Sequence, residues 1–217
     1  MSDSILLPAG SALLLSLALV LGGSPWMDAL YANASGKGIL SFPEALRERA
    51  RGRQFFLALG GALCGWRLAM ILSPLALPFG LIAAGFLLLV TFTDKEQYLI
   101  FDAMLLPFAL AGGVALPFLG LPLVDHLSAA AAGGLIFLLL AILTRGGIGG
   151  GDVKLMAVLG LWFGSQRLLS IAMIGLVLGG VAALFLLLTK KRDRRGFFAY
   201  GPYFSLTALF FLLTEGW

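Results

Sequence analysis

Residues 145–164 read Arg145-Gly146-Gly147-Ile148-Gly149-Gly150-Gly151-Asp152-Val153-Lys154-Leu155-Met156-Ala157-Val158-Leu159-Gly160-Leu161-Trp162-Phe163-Gly164, a glycine-rich charged opening followed at once by an apolar run. Longer apolar runs flank this stretch at 127–144 and 168–189. A bilayer crossing takes about 20 mostly apolar residues, so both flanks read as spans. The short run 153–164 crosses only if it tilts or borrows residues from the glycine stretch. Working outward, the pattern recurs at 5–23, 54–73, 77–93, 99–119 and 199–215, which makes eight spans. Composition agrees. Of 217 residues 60% are hydrophobic and 12% charged, against roughly 45–50% and about 25% in soluble domains, and the mean hydropathy is +1.00. The 29 glycines follow no G-X-Y period and suit helices packed closely in lipid. The expected fold is all-α, a single integral-membrane domain over 1–217. The lone Cys64 excludes a disulfide framework and any cysteine-based zinc cluster.

Basic residues set the expected orientation, because Lys and Arg are retained on the cytoplasmic side. Residues 24–53 hold Lys37, Arg47, Arg49, Arg51 and Arg53. Lys95, Arg145 with Lys154, and the group Lys190, Lys191, Arg192, Arg194 and Arg195 fall on the same side, leaving Arg167 opposite and Arg67 inside a span, placed to snorkel outward. Both termini are then outside and the loops 24–53 and 190–198 cytoplasmic. No Lys or Arg precedes Lys37, so the first run lacks the basic region of a signal peptide and is expected to stay as a helix. A sequence pI near 9.5 is explained by this topology and by anionic lipid headgroups, not by nucleic acid. Within 24–53, Glu44 and Glu48 stand at helical spacing from Arg47 and Arg51, which predicts a short solvated or headgroup-lying helix.

Ionisable residues at or within spans are costly and mark function by default. Four acids qualify: Asp94, Asp102, Asp125 and Asp152. Asp125, with His126, is expected in a solvated loop on the far side. Asp94 and Asp152 fall at one depth on the cytoplasmic side, with Asp102 about a turn inside the next span. The glycines before Asp152 leave a backbone that an extended peptide can approach closely. A phosphate-binding loop is excluded, since neither G-x-x-x-x-G-K-[ST] nor G-x-G-x-x-G occurs and an aspartate would repel the anion. Asp152 alone is equally a helix cap. Paired with Asp94 it becomes a coupled carboxylate dyad sharing one proton, in which the ionised member takes a proton from water and the protonated one polarises a peptide carbonyl. Lys154 either biases this pair or snorkels to headgroups, the second being the simpler reading. Cys64 and His126 offer no rival nucleophile or metal centre on that side. A transporter or channel using the same acids as proton or ion sites is the main non-enzyme alternative, but no internal repeat is visible and the acids lie at one face rather than at midplane.

The residues now resemble a known family, the prepilin peptidases or type IV leader peptidases, GxGD-type membrane aspartic proteases of type IV pilus and type II secretion systems. The run Gly149 to Gly164 resembles the family's second aspartate motif, and Thr93-Asp94-Lys95-Glu96-Gln97-Tyr98-Leu99-Ile100-Phe101-Asp102 the first. Gly201-Pro202-Tyr203 is similar to a Gly-Pro-aromatic element near the family's C-terminus. Residues 80–205 would form the peptidase core. The resemblance implies an aspartic endopeptidase with Asp94 and Asp152 catalytic and Gly149, Gly151, Lys154 and Asp102 supporting. It further implies a bacterial inner (plasma) membrane location, with the site facing the cytoplasm. The implied substrate is the helix of a type IV prepilin or pseudopilin, whose basic leader is cut after a glycine; a GxGD protease with a different membrane substrate is the alternative. Two departures stand out. Phe101 replaces the family's usual proline. The 24–53 loop lacks the paired CxxC motifs that bind zinc in bifunctional members, so no metal is expected. Proteolysis needs no cofactor, and S-adenosylmethionine enters only if methyl transfer is retained.

Overall fold

In the computed structural model, the described residues 3–42, 46–145, 147–189 and 199–216 form helices and connections with no strand among them. The helices are α1 (Asp3–Leu17), a π-helical segment (Ala18–Gly23), α2 (Ser24–Gly36), α3 (Leu46–Ile71), α4 (Leu77–Gln97), α5 (Asp102–Phe118), α6 (Leu123–Leu143), α7 (Gly150–Leu188) and α8 (Gly201–Glu215). Five helical stretches are long and apolar enough to cross a membrane: Ile5–Gly36, Gly52–Ile71, Leu77–Gln97, Leu123–Leu143 and Gly150–Leu186. α5 is a shorter apolar helix. Within its most apolar window α4 is 67% buried, against 22–28% for the other four, so α4 is the central post of the bundle. α1 and α3 pack against each other on one side of it, α5 and α8 pack directly onto it, and α6 and α7 form a tightly joined pair beyond. Trp162 of α7 links these layers, stacking on Phe108 at 5.3 Å while its indole N–H donates to the Phe108 carbonyl at 2.9 Å.

Three sequence expectations are corrected here. The chain does not leave the first helix for a loop at residue 24. Pro25 sits in the first turn of α2, and the π segment just before it carries the chain through without a break. Ser24, Met27, Tyr31 and Ala34 are buried. The Glu44–Arg47–Glu48–Arg51 pattern lies outside the residues whose side chains are described, as does the basic loop 190–198. Next, the span read at 77–93 continues to Gln97, which places Asp94 inside α4. Finally, Asp125 and His126 are not in a solvated loop. Both belong to the first turn of α6, and His126 is buried.

Their role follows from α7. A straight helix of 39 residues would reach about 58 Å at about 1.5 Å per residue, nearly twice a hydrocarbon core of about 30 Å. The helix is instead broken at Gly164, with φ 69° and ψ −179°, a conformation open to glycine and strained for other residues. A Cβ on Gly133 of α6 would lie 3.0 Å from the Met156 carbonyl oxygen and 2.8 Å from Leu168 Cδ2. Residues 156 and 168 therefore pass the same level of α6, and the two halves of α7 fold back on each other. Asp125 caps the second half, accepting hydrogen bonds from the Ser165 N–H (3.1 Å) and hydroxyl (2.5 Å). His126 Nδ1 lies 2.8 Å from the Leu161 carbonyl oxygen at the end of the first. Returning toward the dyad end, Gly175 and Gly179 accommodate the rings of Phe204 and Tyr200, so this GxxxG pair serves internal packing.

Candidate active site

α4 ends one turn after Asp94. Tyr98 takes a left-handed conformation (φ 53°) and its N–H closes on the Asp94 carbonyl at 2.8 Å. Asp152 is in the first turn of α7, where its Oδ2 accepts the Gly149 N–H at 3.2 Å. Asp152 is thus not itself the N-cap residue: Gly149 holds that position, and the Asp152 side chain reaches back to its N–H from the third helical position, using one oxygen only. Both carboxylates are buried, Asp94 at 5% and Asp152 at 6% exposure, and they interact electrostatically with each other. Asp94 Oδ2 and Asp152 Oδ1 have no hydrogen-bond partner, and among the described residues no other buried side-chain nitrogen or oxygen lacks one. Leaving such atoms unsatisfied costs about 1–3 kcal/mol each, more for charged groups. The bundle thus stores two unmet demands at one place, the arrangement that a shared proton, a water and a peptide carbonyl would satisfy.

Glycines make the site close-fitting. A Cβ on Gly201, at the start of α8, would sit 2.6 Å from Asp94 Oδ2, and the Gly201 N–H faces that carboxylate. A Cβ on Gly151 would lie 2.9 Å from Ile100 Cβ, so a side chain there would push the start of α7 away from the α4–α5 connection. Gly149 presents its N–H to Asp152. Asp102 is not part of the dyad: its carboxylate, largely exposed, receives the Lys154 ammonium at 2.8 and 2.7 Å. Lys154 is therefore a cross-link from α7 to the start of α5 rather than a group extended to headgroups, worth at most about 1 kcal/mol at this exposure. Phe101 keeps the extended geometry that starts α5 (φ −82°, ψ 131°) and packs on Tyr31 at 5.9 Å.

A second cluster, unseen in the sequence, braces the end of α4. Arg53, 2% exposed, donates to Glu96 Oε2 at 3.1 Å and to Ser24 Oγ, and pairs with Asp28. The Tyr31 hydroxyl donates to Glu96 at 2.9 Å. Gln97 holds the backbone of Phe42 from both sides, its amide donating to the Phe42 carbonyl and its oxygen accepting the Phe42 N–H, each at 2.9 Å. Helix ends fray, and these bonds fix the turn that carries Asp94. Arg53 was expected in a loop and no role was expected for Glu96; partners 43 residues apart leave no local signal. Replacing Glu96 with Ala strips the buried guanidinium of one of its two carboxylates, and breaking such a pair costs about 3–5 kcal/mol. The expected result is a clearly lowered unfolding temperature in detergent, followed by tryptophan fluorescence, with Glu96→Gln intermediate.

Comparison with known proteins addresses the same residues. The profile of the type IV leader peptidase family matches residues 81–184, the segment that contains both aspartates. The chain belongs to the type IV leader peptidase family. It is 32% identical over 163 residues to a prepilin leader peptidase/N-methyltransferase of Aeromonas salmonicida, covering 70% of this chain and 55% of the relative. Proteins of the same name from Neisseria gonorrhoeae (36% over 135 residues; 57% and 44% covered) and Aeromonas hydrophila (32% over 186 residues; 77% and 63% covered) are also similar. The chain thus spans about half the length of the leader peptidases it matches. No solved structure matches it. Among the described residues no group of three His, Cys, Asp or Glu side chains is arranged to hold a metal ion.

Proposed function

We propose that the protein is a membrane-embedded aspartic endopeptidase that removes the basic leader of a type IV prepilin or pseudopilin at the cytoplasmic face of the bacterial inner membrane, cutting after a glycine. The observation that carries this is the pair of buried, partnerless carboxylate oxygens on Asp94 and Asp152, together with family membership. In the proposed reaction one carboxylate is ionised and the other protonated. The ionised one takes a proton from water as the water oxygen attacks the scissile carbonyl, while the protonated one donates a hydrogen bond to the carbonyl oxygen. Collapse of the tetrahedral intermediate breaks the C–N bond, and a carboxyl proton passes to the leaving amine. Gly149 holds the Asp152 carboxylate through its N–H, the start of α8 at Gly201 packs directly against that of Asp94, and burial keeps bulk water from competing.

The relatives are also named as N-methyltransferases, a reaction that draws on a cationic methyl donor such as S-adenosylmethionine. Among the described residues the cavity beside Asp152 has one carboxylate in its lining, Asp102, and Lys154 already neutralises it. These described residues do not fit such a cationic donor. Eight crossings with both termini outside remain the proposed topology; they require α5, α8 and both halves of α7 to cross. Reporter fusions after residues 42 and 195 are expected to report cytoplasm, and the reverse would place both aspartates on the wrong face. The function itself is tested by co-expression with a prepilin: mass spectrometry should find the mature chain beginning just after the leader glycine. An unprocessed precursor would reject the assignment.

A further inference from the structure

A groove of about 550 Å³ lies between α3, α4 and α8 on the Asp94 side of the dyad. Its floor follows α4 from Leu88 to Tyr98, and its inner end is formed by Pro202 and Tyr203, directly after the Gly201 that touches Asp94. A second cavity of about 490 Å³ borders Gly150 and Gly151 beside Asp152. The two differ in chemistry. Among the described residues the first has one charged side chain in its lining, Lys95, whereas the second has Lys37, Asp102 and Lys154. A peptide crossing the dyad from one cavity to the other must therefore be polar on the Asp152 side and apolar on the Asp94 side.

The groove is open along its flank. Leu59 and Leu63 on α3 and Leu206 on α8 line it while remaining 45%, 62% and 48% exposed. It asks nothing polar of its occupant at depth, since the Thr91 hydroxyl is already spent on the Leu87 carbonyl at 2.7 Å. From Leu88 to Tyr98 the floor runs about 15 Å at about 1.5 Å per residue, room for about ten residues of a helix lying alongside. Because its inner end adjoins the residue packed on Asp94, a substrate chain running on from the bond being cut would enter the groove directly, and this continuity favours a peptide over a lipid chain. We propose that this groove takes the apolar membrane helix that follows the scissile bond, admitted sideways from the bilayer between α3 and α8. The proposal rests on the proteolytic reading of the dyad.

The test uses two synthetic peptides with the same leader and glycine, one continuing into a 20-residue Leu/Ala helix and one ending four residues after the glycine. Wild-type protein in vesicles is expected to favour the helix-bearing peptide through KM. Leu59→Trp and Leu206→Trp, which fill the groove from exposed positions, should raise KM for that peptide about tenfold and erode the preference, whereas Leu139→Trp on the outer face of α6 should not. Groove variants that match Leu139→Trp, or that lower kcat for both peptides alike, would overturn the proposal. A second readout is independent of cleavage: benzoylphenylalanine at position 63 in Asp152→Asn protein should photo-crosslink the helix-bearing peptide, and adducts with lipid alone would overturn the groove. Cleavage without peptide adducts leaves the dyad standing and removes the groove. Adducts without cleavage by the wild type keep the groove as a helix site and remove the protease reading.

Discussion

Asp94→Asn and Asp152→Asn should each lower leader cleavage by at least about 10³-fold while the protein still accumulates in the membrane. The amide keeps the size of the carboxyl group but neither shares nor shuttles the proton, and general acid–base contributions of about 10²–10⁴ are lost with it. Folding is spared because the fold leaves an oxygen of each side chain unpaired. Asp152 gives one oxygen to the Gly149 N–H and has the other free, and Asp94 has one oxygen without a partner. Residues that act as a unit are not additive, so the double Asn variant should be no worse than either single one. Asp102→Asn is the comparison. It loses the exposed pair with Lys154 and should weaken cleavage severalfold without removing it. Loss confined to Asp102→Asn would mean the wrong acid has been assigned.

Gly201→Ala should cost about 10²-fold in kcat with little change in KM. The added methyl would lie 2.6 Å from Asp94 Oδ2 and 3.0 Å from Ile100 Cδ1, closer than non-bonded atoms tolerate, so either the carboxylate rotates or α8 retreats from α4. Misplacing a reacting group by about 1 Å costs about this much. Since α8 also packs on α4 and α7 through Phe204, Ala208 and Leu212, the fold should survive. Purified Gly201→Ala protein with an unchanged unfolding temperature and full activity would show that the approach of α8 to Asp94 is not part of the mechanism.

What the sequence revealed and what it hid divide along contact range. Helical membrane class was legible in composition, and Asp94 and Asp152 were legible because carboxylates are rare in apolar runs and because Gly149-Gly150-Gly151 precedes one of them. The continuation through Gly22-Gly23-Ser24-Pro25 was not: those residues read as a terminus, yet proline fits a first turn, and a π segment absorbs the change of pitch. Asp125 and His126 looked solvated because their partners, Ser165 and Leu161, lie 40 and 35 residues on, across a reversal at Gly164 that no local rule announces. Lys154 read as a lipid-facing cation because Asp102 lies 52 residues away. Arg53 and Glu96 were hidden for the same reason, each being an ordinary charged residue until folding buries both.

The central claim is that one protonated and one ionised carboxylate act together, and the pH dependence of kcat/KM for leader cleavage by the wild-type protein tests it most directly. At low pH both carboxyls are protonated and none accepts the proton from water; at high pH both are ionised and none supports the carbonyl. Only the singly protonated pair is competent, so the account predicts a bell whose two limbs belong to the Asp94–Asp152 pair as a unit. A rate that climbs steadily to alkaline pH and then levels, as expected for a nucleophile activated by a single base, would contradict it.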